Sequence, residues 1–150
     1  MDLCVICNSQ LINKEQALRA RMKNKDDKPV ADRIVYKAWC PKCEIHLRKS
    51  NQGHEEGNWV TSDVKESELI CEISNNEFLN IKSEIENYIK TDKGRIRQEK
   101  WNEFISVKKE NDKIYTYCQN DNLHNIMGYV IKRGFNFISQ FITEINRNPQ

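Results

Sequence analysis

No stretch of the chain approaches the roughly 18 consecutive apolar residues that a membrane-spanning helix requires. A secretory leader is not expected either, because Asp2 and Asn8 interrupt the first apolar residues and no basic start precedes them. An excess of one charge is also missing. The chain carries 24 Lys and Arg against 22 Asp and Glu, a formal +2, too little for a protein that coats nucleic acid by charge alone. Neither half departs from this balance: residues 1–60 hold 11 basic and 8 acidic side chains, and 61–150 hold 13 and 14. No G-x-G-x-x-G, P-loop or serine-elbow pattern occurs, so no nucleotide cradle or activated serine is indicated. Together these absences point to a cytoplasmic protein whose thiols stay reduced, which argues against three disulfides among its six cysteines.

Four of those cysteines form two hooks, Cys4-Val5-Ile6-Cys7 and Cys40-Pro41-Lys42-Cys43, with 32 residues between them. In a C-x-x-C hook both sulfurs can turn toward one point, and four thiolates match the tetrahedral shell that Zn²⁺ prefers. The chain is 38% hydrophobic and 31% charged, enough for a core but not a generous one. Metal ligation therefore matters most over the first sixty residues, where apolar side chains are sparse; it can contribute on the order of 10 kcal/mol to such a module.

The return arm between the hooks, Arg33-Ile34-Val35-Tyr36-Lys37-Ala38-Trp39, is rich in strand formers and runs straight into Cys40. With Cys4, Cys7 and Cys40-Pro41-Lys42-Cys43, it makes about the first 45 residues resemble the zinc-ribbon group. The resemblance implies a β-hairpin that leaves and returns to one structural Zn²⁺ held by Cys4, Cys7, Cys40 and Cys43. The chain departs from many ribbons after each second cysteine, where Asn8 and Glu44 replace glycine. Glu15 to Met22 are good helix formers and leave the outgoing arm ambiguous.

Arg19, Arg21, Lys23 and Lys25 alternate with other residues, so a strand would carry them on one side. Such a stripe can grip phosphate or an acidic partner, or simply serve as a solvated face. Asp26 and Asp27 resemble the acidic tip of transcript-cleavage-factor ribbons. His46 and His54, with Asn51 and Asn58, invite comparison with HNH-type nucleases; but Asp32 is followed by Arg33, so the histidine expected as general base is missing. His46, three residues past Cys43, is also a candidate replacement ligand.

Farther on, residues 69–73 read as a short strand, and Ser74 with Glu77 as a capping box opening a helix over 75–90. A second helix is predicted from Thr91 or Asp92 to about Glu110. Trp101, Phe104, Ile105 and Lys108 mark one side of it, and its start is crowded by Lys93, Arg95, Arg97 and Lys100. Ile114 to Cys118 alternates as a strand that can pair with 69–73 and bring Cys71 near Cys118. Residues 122–147 give the strongest helical signal, with Leu123, Met127, Val130, Gly134, Phe137, Phe141 and Ile145 stepping by four and three. That helix serves as core or as a homodimer seam, unless Arg133-Gly134 divides it.

The fold these readings predict is α+β: a four-cysteine zinc-ribbon hairpin over 1–48, docked on a unit over 60–147 of two or three helices with a short β-pair. The predicted function is a non-enzymatic intracellular zinc-stabilised adaptor or inhibitor that binds a protein. One alternative is a nucleic-acid-binding ribbon using Arg19, Arg21, Lys23 and Lys25. A second is an HNH-like metal-dependent nuclease.

Overall fold

The computed structural model describes residues 2–23, 29–87, 92–121 and 123–147, and their side chains except at 18–23, 29–32 and 92. The chain divides into two units, Met1–Thr61 and Ser62–Gln150. Among the described residues no helix is long and apolar enough to cross a membrane.

The first unit is a three-stranded antiparallel sheet in the order β1 (Ile12–Lys23), β2 (Pro29–Cys40), β3 (Ile45–Gln52). The helix-forming residues 15–22 lie in β1, where pairing with the β-rich return arm overrides their weak intrinsic preference. The hairpin between the hooks thus has strands of 12 residues each. The third strand was not foreseen, since residues 44–67 read as the least structured part of the chain, with a polar loop over 51–58. It starts immediately after the second hook and pairs residue for residue with β2, from Cys40 opposite Ile45 to Arg33 opposite Gln52. One face of this sheet is dry, with Ala38, Cys40, Ile45 and Leu47 all buried. The alternate positions Arg33, Lys37, Trp39, His46 and Arg48 lie on the other face, partly or fully exposed.

The second unit corrects the predicted fold. The described residues are mostly strand, in two antiparallel sheets with two helices, so the predicted C-terminal unit of helices with a short β-pair is replaced by a four-stranded sheet with two helices. Its sheet has the order β4 (Leu69–Glu72), β5 (Lys113–Asn120), β6 (His124–Arg133), β7 (Asn136–Arg147). The β4–β5 pairing is the one the sequence predicts, but Cys71 lies opposite Thr116, and Cys118 opposite Met127. Two helices precede β5, α1 (Asn75–Glu86) and α2 (Asp92–Ser106). The Ser74 hydroxyl accepts from the Glu77 N–H at 3.2 Å and so caps α1 as the capping box requires.

Where a third helix was predicted, β6 and β7 form a hairpin around Gly134, which has φ +61°. The apolar steps of four that suggest a helix are also two full strand periods, so they keep a residue on one face of a strand as well. The odd step from Met127 to Val130 changes face within β6, and the one from Gly134 to Phe137 spans the turn; the ladder's two register shifts place their extra residues, Thr143 and Ile138, on β7. The proposed homodimer seam therefore has no helix to lie on. The seam residues build the unit's own sheet, with Phe141 facing Trp101 of α2 at a ring separation of 5.1 Å. Phe104, Phe78 and Tyr129 complete this aromatic cluster. Val64 packs with Tyr117 and Val130 in a second cluster.

Candidate metal centre

The two hooks are built alike. In each, the first cysteine's carbonyl accepts a backbone N–H four residues on: Asn8 to Cys4 at 2.9 Å and Glu44 to Cys40 at 2.8 Å. In each, the first sulfur also accepts a backbone N–H, from Ile6 to Cys4 at 3.4 Å and from Cys43 to Cys40 at 3.3 Å. Closing such a loop requires a left-handed residue after the second cysteine, and Asn8 (φ 61°) and Glu44 (φ 57°) adopt that conformation without being glycine. The missing glycines thus leave the hook geometry intact, at a local strain that asparagine tolerates better than glutamate.

The hooks meet because β2 enters Cys40 while Leu3 bridges Gln10 just before β1, so each begins or ends a strand. All four sulfurs lie within 4.8 Å of one another, and Cys7 Sγ stands 3.4 Å from Cys40 Sγ. A tetrahedral metal with bonds of about 2.3 Å to sulfur needs sulfur–sulfur edges of about 3.8 Å, a value these distances straddle. Cys4 and Cys40 are buried, whereas Cys7 and Cys43 are half-buried. The four cysteines are therefore positioned to bind one metal ion.

The electrostatics of the bare thiols are uneven. Hydrogen bonds from Ser9 hold the Cys7 thiol down to about 6. Burial pushes Cys4 up, and burial reinforced by the neighbouring sulfurs pushes Cys43 up. Four thiolates this close repel one another unless a cation lies between them.

A polar anchor that the sequence reading missed braces the first hook. Asp2 takes the Trp59 indole N–H at 3.0 Å and ion-pairs with Lys14 at 3.2 Å and Lys49 at 3.7 Å. Lys49 is only 4% exposed, is hydrogen-bonded to Glu56, and places its ammonium 5.6 Å from the centre of the Trp59 ring. The indole hydrogen bond, foremost, keeps the Asp2 carboxyl below its usual range. Gly57 makes room for this segment, since a Cβ there would fall 2.0 Å from the Ser50 carbonyl oxygen. Trp59 within a polar stretch was the one signal available in the sequence.

The other candidate residues fall elsewhere. His46 lies on β3 edge-on to Trp39, with ring centres 4.6 Å apart. His54 is exposed in the turn closed by Gln52 and Glu55, and Asp32 lies on β2 opposite Arg21. Arg19, Arg21 and Lys23 occupy β1 opposite Ile34, Asp32 and Pro29; their side chains, and all of Lys25, Asp26 and Asp27, lie outside the described residues. No protein-family model, curated protein or solved structure matches the chain.

Proposed function

We propose that this chain is a non-enzymatic binding module in which Cys4, Cys7, Cys40 and Cys43 hold one structural zinc ion and the sheet between and beyond the hooks docks onto a macromolecule. The observation that carries this reading is the convergence of four sulfurs, all from matched hooks, to within 4.8 Å. Four thiolates complete a tetrahedral shell, so such a centre keeps no position for water or substrate and supports folding, not hydrolysis. The soft all-sulfur donor set favours zinc over the oxygen-seeking divalent cations. A near-neutral net charge favours a protein as the macromolecule, with the chain acting as adaptor or inhibitor.

The test is elemental analysis of untagged protein purified without chelator, with an absorption spectrum to exclude iron thiolate. One zinc per chain, lost together with the fold of residues 2–61 in Cys4→Ser/Cys40→Ser, is the expected result. Absence of bound metal, or a double variant that folds unchanged, removes the reading.

A further inference from the structure

We infer that the outer edge of β7, over residues 142–147, is where an extended segment of a protein partner adds a fifth strand to the four-stranded sheet of the second unit. This inference rests on the protein-partner reading of the proposed function and not on its metal, whose ligands lie in the other unit. A strand at the end of a sheet turns the N–H and C=O of alternate residues outward, and only another extended backbone answers that row in register. Among the described residues four strands lie at a sheet end, β1, β3, β4 and β7. β3 is closed by Val60, whose backbone exchanges two 2.8 Å hydrogen bonds with Arg48. β4 is only four residues long. β1 carries Lys14, Arg19, Arg21 and Lys23, the kind of charge that holds other strands off an edge. β7 has 12 residues, no proline and no lysine, and β6 is its one strand neighbour among the described residues.

Two features of β7 give the partner strand its chemistry. First, an apolar row is left unfinished at the edge. The bulge at Thr143, whose hydroxyl donates to the Met127 carbonyl at 3.1 Å, puts Ile142 and Ile145 on one face although they are an odd number of positions apart. Ile142 lies opposite Gly128 and Ile145 opposite Ile126, on the face where Tyr117 and Val130 cluster with Val64. That cluster stops short of the edge, and the two isoleucines are 44% and 57% exposed. Gly128 offers Ile142 no side chain, so an added strand supplies the cross-strand apolar neighbour that β6 lacks. Second, Glu144 stands on the opposite face, exposed and without a charged partner among the described residues. A strand of alternating apolar and polar residues, with a lysine or arginine on its polar side, satisfies the backbone, the isoleucines and the carboxylate together. A second copy of this chain does not. A two-fold axis keeps every residue on its own face, so Glu144 never meets Arg147, which shares the face of Ile145. Pairing along about 20 Å of strand also falls short of the roughly 800 Å² per partner of a standard interface, whereas a short peptide is bound through one edge alone.

The experiment titrates the isotope-labelled full chain with the end-capped heptapeptide Thr-Val-Lys-Val-Lys-Val-Thr and follows backbone amides by heteronuclear NMR. Two further peptides serve as controls, one with glutamate in place of both lysines and one N-methylated at every valine and lysine. Shifts confined to β7 and its neighbour β6 are expected, with the N-methylated peptide silent because those nitrogens no longer donate. Ile142→Thr/Ile145→Thr, which keeps β-branched side chains, should weaken binding about fivefold. Glu144→Lys should reverse the preference for the lysine peptide over the glutamate one. Unchanged amide shifts in α1 and α2 certify each variant's fold; if the double variant fails that check, Ile145→Thr alone should show a smaller loss. Shifts over 12–23 or 69–72 instead would overturn the assignment, as would an N-methylated peptide that binds equally well. A dimer in sedimentation equilibrium whose 142–147 amides are already protected from exchange would overturn it too, by giving the edge to a second copy. A folded, zinc-loaded chain that binds no peptide at millimolar concentration ends this inference and leaves the scaffold reading standing. A chain that holds no zinc but binds the heptapeptide at β7 ends the scaffold reading and leaves this one.

Discussion

At the scale of single residues, the two positions after the hooks carry the clearest energetic signature. Glu44 is an exposed residue held at φ 57°, a conformation that costs an L-residue about 1 kcal/mol relative to glycine. Glu44→Gly is therefore expected to stabilise the zinc-loaded protein by about 1 kcal/mol. Asn8→Gly should gain less, because asparagine tolerates the left-handed region better. The urea midpoint of the first unit reads both. Asp112 gives the opposite case. It is 7% exposed and clamped by two Arg133 hydrogen bonds of 2.8 Å and by the Lys109 N–H. Burial alone would raise its carboxyl, but these donors prevail and hold it below the ordinary carboxylate range. The folded value is thus depressed, so its contribution is fully present above the unfolded value of about 3.9 and disappears as pH falls through the folded one. Arg133→Met leaves the carboxylate buried without its bidentate partner, and a loss of about 3 kcal/mol is expected at pH 7. The deficit relative to wild type should shrink below pH 4 as Asp112 takes up a proton, which a pair of denaturation series across that range would show.

At the scale of elements, the β6–β7 hairpin shows where periodicity misleads. Ile126, Val130, Ile131, Ile138, Ile142, Thr143 and Ile145 are β-branched, a composition that favours strands, yet their four-residue spacing satisfies helix and strand alike. Gly128 resolves the ambiguity in the folded protein, since a Cβ there would lie 2.2 Å from the Phe141 carbonyl oxygen and 2.9 Å from the Tyr117 hydroxyl. Gly128→Ala should destabilise the second unit by about 3 kcal/mol through displaced backbone. Thermal melts would test this, and a cost under 1 kcal/mol would contradict the close approach. By contrast, α1 was readable because its start is local: Ser74 and Glu77 are three residues apart, and no distant partner is needed to form the cap.

At the scale of the whole molecule, the chain holds two units with separate cores, one organised by sulfur and the other by aromatic rings. Trp101 and Phe104 are almost completely buried in the second unit, whereas Trp59 is the one buried ring of the first among the described side chains. Stripping the metal with a strong chelator is expected to abolish hydrogen-exchange protection over 2–23 and 29–60. Amides of β5, β6 and β7 should keep theirs, because their burial owes nothing to the cysteines. Mass spectrometry of exchanged peptides separates the two ranges. Equal loss in both would show that the second unit depends on the metal as well.

The metal centre was legible because a C-x-x-C hook is a local object: two residues between cysteines already dictate that their sulfurs face one point, and the strand formers of 33–39 bring the second hook home. The capped helix was legible on the same grounds, and 69–73 and 114–118 were legible as strands from their local pattern, though not in their register. Tertiary structure alone decided that β3 completes the first sheet, that Lys49 is buried beside Asp2 and Glu56, and that 124–147 forms a hairpin joined to β5 through β6 instead of a helix. Each of these depends on which distant backbone supplies the hydrogen bonds and which side chains exclude water, and no window along the chain contains both partners.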